Sequence, residues 1–232
     1  DRAVHSDFLI HWTGKDIDAD LHPDWLESSH HSRTNEQVVE RYLKRLRDIL
    51  TFGLWMTDEG TKIFKVGSAE IEIPATPQCC FTELRLSESR RHASRYGRLG
   101  IGVKRPFLFQ RFGRPLAYFG FDENSNDKLL EACRSDLKDK SLLNFFKPMN
   151  SSPQPLVFDL YSESEWRILF FQELLDAGKI VDPRDPANVS EHRYFCGLSS
   201  EEQAKLKYLI PLDGWFAMLI FPSIKAKTLA QS

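Results

Sequence analysis

The chain lacks the patterns that usually announce a chemistry. Its seven histidines show no HExxH-type spacing, and no cysteine pair has metal-ligand spacing, so no metal site is expected. There is no GxSxG elbow, no cysteine–histidine family signature and no Gly-Lys-Ser/Thr phosphate loop, which argues against serine or cysteine hydrolysis and P-loop nucleotide chemistry. Cysteine itself is sparse, at Cys79, Cys80, Cys133 and Cys196, and a vicinal pair forms an ordinary disulfide only with difficulty. That usage fits a reducing compartment and points to the cytoplasm. Long apolar runs are missing too. Trp215 to Pro222 is far too short to cross a bilayer, and Asp1 to Ser6 shows no basic-then-apolar leader. No membrane role is expected.

What is present is an ordinary globular composition, 41% hydrophobic and 28% charged, over 232 residues, enough for one well-filled core. The net charge of -2 conceals an asymmetry. Between Arg85 and Arg114 stand nine basic residues and one acid, Glu88, so this stretch carries +8 and the remainder about -10. Such a field attracts phosphates or an acidic partner, although a solvated helix face followed by a polar strand edge reads equally well.

Hydrophobic periodicity organises the rest. Asp7 to Trp12 reads as a first strand. Asp16 to Ser32, acidic and histidine-rich, reads as an irregular insertion. Asn35 to Phe52 is the clearest helix, with Val38, Val39, Tyr42, Leu43, Leu46, Ile49 and Leu50 at helical spacing and Gly53 as its stop. Lys62 to Ile73 suggests a hairpin around Gly67-Ser68, and Cys79 to Leu84 a short buried strand. Ser87 is expected to cap a basic helix running to Tyr96. Strands follow at Ile101 to Val103 and Leu116 to Phe119, then a helix over Leu129 to Phe146 and a loop over Pro148 to Pro155. Leu156 to Tyr161 and Trp166 to Phe171 are strand-like, the second alternatively opening a helix that ends at Ala177-Gly178. Ser200 to Tyr208 reads as a helix and Gly214 to Phe221 as a final buried strand. The order suggests an α+β (mixed α/β) fold, one domain around a mixed, mainly antiparallel sheet.

Four local signals bear on chemistry. His11 ends the first strand beside Trp12 and Thr13, where an imidazole can hold a ribose hydroxyl while the indole stacks; a strand-end histidine is also an ordinary structural residue. Thr82 sits on a buried strand within Cys80-Phe81-Thr82-Glu83, so its hydroxyl needs a partner, from the protein or from a ligand. Gly97, Gly100 and Gly102 permit close backbone approach without matching a dinucleotide fingerprint. Glu163 and Glu165 point the same way if their segment is extended, which sets two carboxylates beside any electron-poor sugar carbon. A charged strand edge is the plainer reading of the same residues.

These segments occur together in a particular order. His11-Trp12-Thr13 is followed by the leucine-rich helix ending at Gly53, then Cys80-Phe81-Thr82-Glu83, and then a helix with His92. Tyr96-Gly97-Arg98-Leu99-Gly100-Ile101-Gly102-Val103, Pro115-Leu116-Ala117-Tyr118 and Glu163-Ser164-Glu165-Trp166-Arg167-Ile168 complete it. In this the chain resembles the AbiGi-type abortive-infection (phage-resistance) proteins of bacteria, antitoxin partners in two-gene systems. The resemblance covers roughly residues 8 to 170, leaving 171 to 232 as an extension that completes the sheet. A more remote similarity is to ADP-ribosyltransferases, in which a strand-borne His, hydroxyl residues on a second strand and a later Glu-x-Glu recur. That similarity implies NAD as cofactor, with His11, Thr13, Thr82, Tyr96 and Arg98 as its contacts and Arg98 on the pyrophosphate. Glu165 would then stabilise the oxocarbenium transition state and Glu163 would orient the acceptor. The alternative is a non-catalytic partner that binds nucleic acid or a cognate toxin through residues 85 to 114. It expects Glu165 to be tied up, for instance by Arg167.

Overall fold

The structure, a computed structural model, describes residues 7–18, 36–66, 69–83, 86–119, 128–149 and 161–231. In chain order the elements are β1 (Phe8–Thr13), α1 (Lys15–Asp18), α2 (Glu36–Phe52), β2 (Leu54–Thr57), β3 (Lys62–Val66), β4 (Ala69–Ile73) and β5 (Gln78–Thr82). Next come α3 (Ser89–Tyr96), β6 (Leu99–Lys104), α4 (Arg105–Phe109), β7 (Arg114–Pro115), β8 (Ala117–Phe119), α5 (Lys128–Asp136), β9 (Phe146–Pro148) and β10 (Glu165–Leu169). The described chain ends with α6 (Gln172–Asp176), α7 (Val189–Cys196), α8 (Ser200–Lys205), β11 (Leu206–Ile210), β12 (Phe216–Ile220) and α9 (Ile224–Ala230). The class is α+β with mainly antiparallel pairing, as the alternation of apolar patterns implies. Among the described residues no helix is long and apolar enough to cross a membrane.

The chain packs as two units. One comprises Asp1–Leu54, Phe81–Phe107 and Leu212–Ser232, the other Trp55–Cys80 and Leu108–Pro211.

In the first unit β1 pairs antiparallel with β6 along its whole length, from Phe8↔Lys104 to Thr13↔Leu99, and meets the end of β5 at Ile10↔Thr82. On its other side β6 pairs with β12, with a register shift between Phe216 and Met218. The alternation in LGIGVK explains this packing. Leu99, Ile101 and Val103 are buried on one face. On the other, Gly100 leaves room for Ile10 and Ile220, and Gly102 for Met218. The close approach that the glycines suggested is therefore an approach of the chain to itself.

Helix α2 buries Val38, Val39, Tyr42, Leu46 and Ile49 and packs against α9, with Lys225 bonding Glu36 at 2.8 Å. It ends where Gly53 takes φ +106 and donates to Ile49. The Tyr42 hydroxyl, buried, donates to the Gly14 carbonyl (3.2 Å) and accepts the Arg98 N–H (3.1 Å), which joins α2 to the chain on either side of the β1–β6 pair.

In the second unit β3 and β4 form the expected hairpin, Lys62↔Ile73 to Val66↔Ala69. Ile71 and Ile73 of β4 pack with Phe119, Leu130 and Leu143 in one buried cluster. Burial of each such side chain stabilises by roughly 1.5–3 kcal/mol. β8 and β9 run parallel, Ala117↔Phe146, Tyr118↔Lys147 and Phe119↔Pro148, with α5 in the connection between them, as parallel pairing demands. β10 pairs with β7 (Trp166↔Pro115, Arg167↔Arg114) and with β5, while β2 pairs with β5 at Thr57↔Gln78.

Several expectations are corrected. The helix expected over Leu129 to Phe146 stops at Asp136. Asp139 is extended, its carboxylate accepts the Ser141 N–H, and a 3-10 turn over Lys140–Phe145 follows. Ser87 does not cap α3. A 3-10 turn over Leu86–Glu88 puts Glu88 in the capping position, and Ser89 Oγ bonds back to Leu86 O (2.6 Å). The helix expected to Tyr208 stops at Lys205 and turns into β11, although Ser199 and Glu202 form a capping box at its start. β12 is shorter than Gly214 to Phe221 and only half-buried, and the chain continues into α9, capped by Ser223. The Gly67-Ser68 turn, Leu84, Arg85, and the stretches 19–35 and 150–160 lie outside the described residues.

Gly97 takes φ +108, and a Cβ there would run into the backbone of Thr13 and Lys15; Gly60 takes φ +78 with open space around it. Gly97→Ala is expected to cost roughly 2–3 kcal/mol in urea unfolding, against about 1 kcal/mol for Gly60→Ala, where backbone strain acts alone. Equal losses at the two positions would show that the close approach at Gly97 contributes nothing.

Candidate functional site

The residues that converge most tightly lie in the second unit, around the two glutamates singled out in the sequence. The segment carrying them is not extended throughout. Glu163 closes a 3-10 turn (Tyr161–Glu163), Ser164 takes φ +45, and Glu165 opens β10. Both carboxylates nevertheless reach one ammonium group. Lys147 Nζ lies 2.6 Å from Glu163 Oε2 and also bonds Glu165 Oε2. The other oxygen of Glu165 accepts from Arg167 Nε at 2.6 Å, the two side chains being two apart on the same face of β10. Arg167 in turn donates to the Asn144 carbonyl (2.6 Å).

The parallel β8–β9 pair explains how the lysine arrives. Its register places Tyr118 beside Lys147, and the Tyr118 hydroxyl accepts the Glu165 N–H at 2.9 Å. Tyr118 is packed edge-on against Tyr161, ring centroids 5.2 Å apart. Glu163 is 2% exposed and Glu165 6%, so both carboxylates are withdrawn from water, with Arg167 buried and Lys147 half-buried beside them. Pairing of this quality offsets their desolvation, whereas removing one partner leaves a buried charge uncompensated.

The electrostatics follow. Burial alone would push the Glu165 carboxyl up, but Arg167 and Lys147 outweigh it and hold the group down at about 2. Burial works against the Lys147 ammonium, and Glu165 and Glu163 more than restore it, so its pKa is raised. Burial, with Glu165 nearby, pushes the Cys80 thiol well up. A general base or a stabiliser of an oxocarbenium centre must present a carboxylate oxygen to the reacting atoms. Each Glu165 oxygen here already accepts from a cation.

The other residues named from the sequence lie in the first unit. His11 and Thr13 share one face of β1. The Ile10↔Thr82 register puts Thr82 on the opposite face, with Ile10, so the structure does not bring Thr82 beside His11. The His11 ring packs 5.8 Å from Phe81, and Thr13 Oγ1 accepts from Arg45 (3.1 Å), which also pairs with Asp16 at 2.7 Å. Tyr96 ends α3, its ring near His92 and under the Arg95 guanidinium. Arg98 holds Asp18 through Nε (3.0 Å) and Nη2 (2.7 Å).

The basic segment is divided. Residues to Phe107 belong to the first unit and those from Leu108 to the second. Among the described residues several of its cations stabilise the fold: Arg98 on Asp18, Arg105 on Glu83, and buried Arg111 on the carbonyls of Lys179 and Pro211, each at 3.2 Å. Arg90 and Lys104 are exposed in the first unit and Arg114 in the second.

Lys147, Tyr118 and Asn144 were not legible as members of a site. Lys147 falls just beyond a stretch that reads as one helix, where its partners sixteen and eighteen residues away leave no periodic trace. Among known proteins, no family model, no curated protein and no solved structure matches this chain.

The depressed Glu165 carboxyl makes stability pH-dependent in a defined direction. Its contribution is fully present above the unfolded carboxyl's range, near pH 4.5, and is lost as pH falls through about 2. Glu165→Gln is expected to cost about 3 kcal/mol at neutral pH and to flatten this acid limb. Urea midpoints measured from acid to neutral pH test both, and a variant as stable as wild type at neutral pH would refute a structural role for the cluster.

Proposed function

We propose that this chain is a binding component of a bacterial phage-defence system, acting in the cytoplasm through contact with nucleic acid or a cognate toxin rather than by ADP-ribosyl transfer. The observation that carries this reading is the engagement of both Glu165 oxygens, one by Arg167 and one by Lys147. Phage defence as the process rests on the ordered segments that resemble the AbiGi-type proteins. The separation of Thr82 from His11 on opposite faces of paired strands adds to the case, because a nicotinamide-riboside pocket built from both needs them on one side. The binding surface falls on the first unit, where α3 carries Arg90 and Arg95 and the end of β6 carries exposed Lys104. An exposed cationic surface of this kind takes phosphates without reading sequence.

One observation favours the second reading, NAD-dependent ADP-ribosyl transfer. Glu163 and Glu165 converge on a single ammonium, so a movement of Lys147 would expose a paired-carboxylate site. One experiment separates the two. The purified chain and its Glu165→Gln variant are incubated with labelled NAD and total bacterial lysate, and retention of RNA and DNA is measured across a salt series. The binding reading expects no label transfer by either protein, retention that falls steeply with salt, and about tenfold weaker binding for Arg90→Glu combined with Lys104→Glu. Label transfer by the wild type alone would establish the enzyme instead. Absence of both transfer and retention would leave a protein toxin as the partner to test.

A further inference from the structure

Helix α7 lies outside the segments that carry the family resemblance, and it holds a nucleophile beside a base. His192 and Cys196 are one turn apart, so helical spacing sets them on one face. Cys196 Sγ lies 3.6 Å from His192 Nε2, and His192 Nδ1 lies 3.1 Å from the Pro183 carbonyl oxygen. A carbonyl only accepts, so Nδ1 bears the proton and Nε2 of the neutral ring turns its lone pair to the thiol.

The carbonyl is held in place in its turn. Asn188 donates through Nδ2 to the Asp182 carbonyl (2.8 Å), and the Asp182 carboxylate accepts the Arg184 N–H (2.9 Å). The Asp185 carboxylate accepts the Ala187 N–H (2.9 Å). Thiol, imidazole and orienting acceptor thus stand in the order that activates a nucleophile.

The four thiols are sharply differentiated. No disulfide joins them, and Cys196 is exposed while Cys79 is buried. Burial pushes the Cys79 and Cys80 thiols far up, which keeps both protonated and inert at neutral pH. The helix dipole does not activate Cys196, since the residue sits at the C-terminal, partly negative end of α7. Any activation therefore comes through His192.

We propose that Cys196 is a modification site, a thiol activated by His192 that exchanges with low-molecular-weight disulfides. His192 Nε2 takes the Sγ proton and the thiolate attacks one sulfur of the disulfide. The Sγ–S bond forms as the S–S bond breaks, and the departing thiolate leaves with the electron pair and takes up the proton held by the imidazolium. Cys196 ends as a mixed disulfide and one thiol is released; a second thiol reverses the step.

The test uses the folded full chain with oxidised glutathione as probe and adducts mapped by peptide mass spectrometry. Cys196 is expected to react about tenfold faster than Cys133, which is only half-buried, with Cys79 and Cys80 unmodified. His192→Gln is expected to slow Cys196 by about tenfold while the circular dichroism spectrum is unchanged. Should that variant fold poorly, the ratio of the Cys196 rate to the Cys133 rate in the wild-type chain tests the proposal without touching His192. Equal rates in wild type and folded His192→Gln, or a Cys133 as fast as Cys196, would each overturn the proposal.

Discussion

A carboxylate withdrawn from water must find cations at hydrogen-bonding distance, and in the second unit this requirement falls on Glu165. Meeting it recruits Arg167 from the same strand and Lys147 from β9. Tyr118, brought beside Lys147 by the parallel β8–β9 register, receives the Glu165 N–H. Arg167 then reaches the Asn144 carbonyl, while the Asn144 side chain bonds Thr76 Oγ1 at 3.0 Å. One ionic contact thereby fixes a strand, the 3-10 turn before β9, the parallel pair and the loop that leads into β5. Because Glu165, Arg167, Asn144 and Thr76 are buried and Lys147 and Tyr118 half-buried, loss of a partner leaves a charge or a polar group unmatched.

The first unit is organised by a different constraint, the close packing of backbone that glycine permits. Gly97 lets the end of α3 press on the chain after β1, and Gly100 and Gly102 admit side chains from both neighbouring strands. Arg98 and Tyr42 then bind the resulting junction through Asp18 and Gly14. The positive charge that dominates the sequence between Arg85 and Arg114 is partly structural for the same reason: Arg98, Arg105 and Arg111 each face an internal acceptor.

Local periodicity made much of this readable beforehand. The apolar spacing of α2, the β3–β4 alternation and the strands at β1, β5, β6 and β10 all follow from side chains whose burial is set within a few residues. Elements governed by an individual backbone bond were harder to read. Asp139 breaks an apolar pattern that runs on through it, and the turn over Leu86–Glu88 displaces Ser87 from the cap it would otherwise occupy. Of the candidate site, the engagement of Glu165 by Arg167 could be anticipated, because it depends on residues two apart on one strand, whereas Glu163 reaches the same ammonium from a 3-10 turn and not from the extended segment that the sequence reading required. Lys147, Tyr118 and the opposite facing of Thr82 and His11 depend on pairing between distant strands, which one sequence does not encode locally. Cys196 and His192 sat one turn apart in plain view, but only the Pro183 carbonyl shows which ring nitrogen faces the sulfur.

The functional account therefore turns on whether Glu165 belongs to the architecture. A double-mutant cycle joining Glu165→Gln and Arg167→Met, read by urea unfolding at neutral pH, tests this most directly. The account predicts destabilisation in each single variant and a coupling of roughly 2 kcal/mol between them, as for contacting members of one buried network. A coupling within about 0.5 kcal/mol of zero, with both single variants as stable as wild type, would contradict it and return Glu165 to the candidates for catalysis.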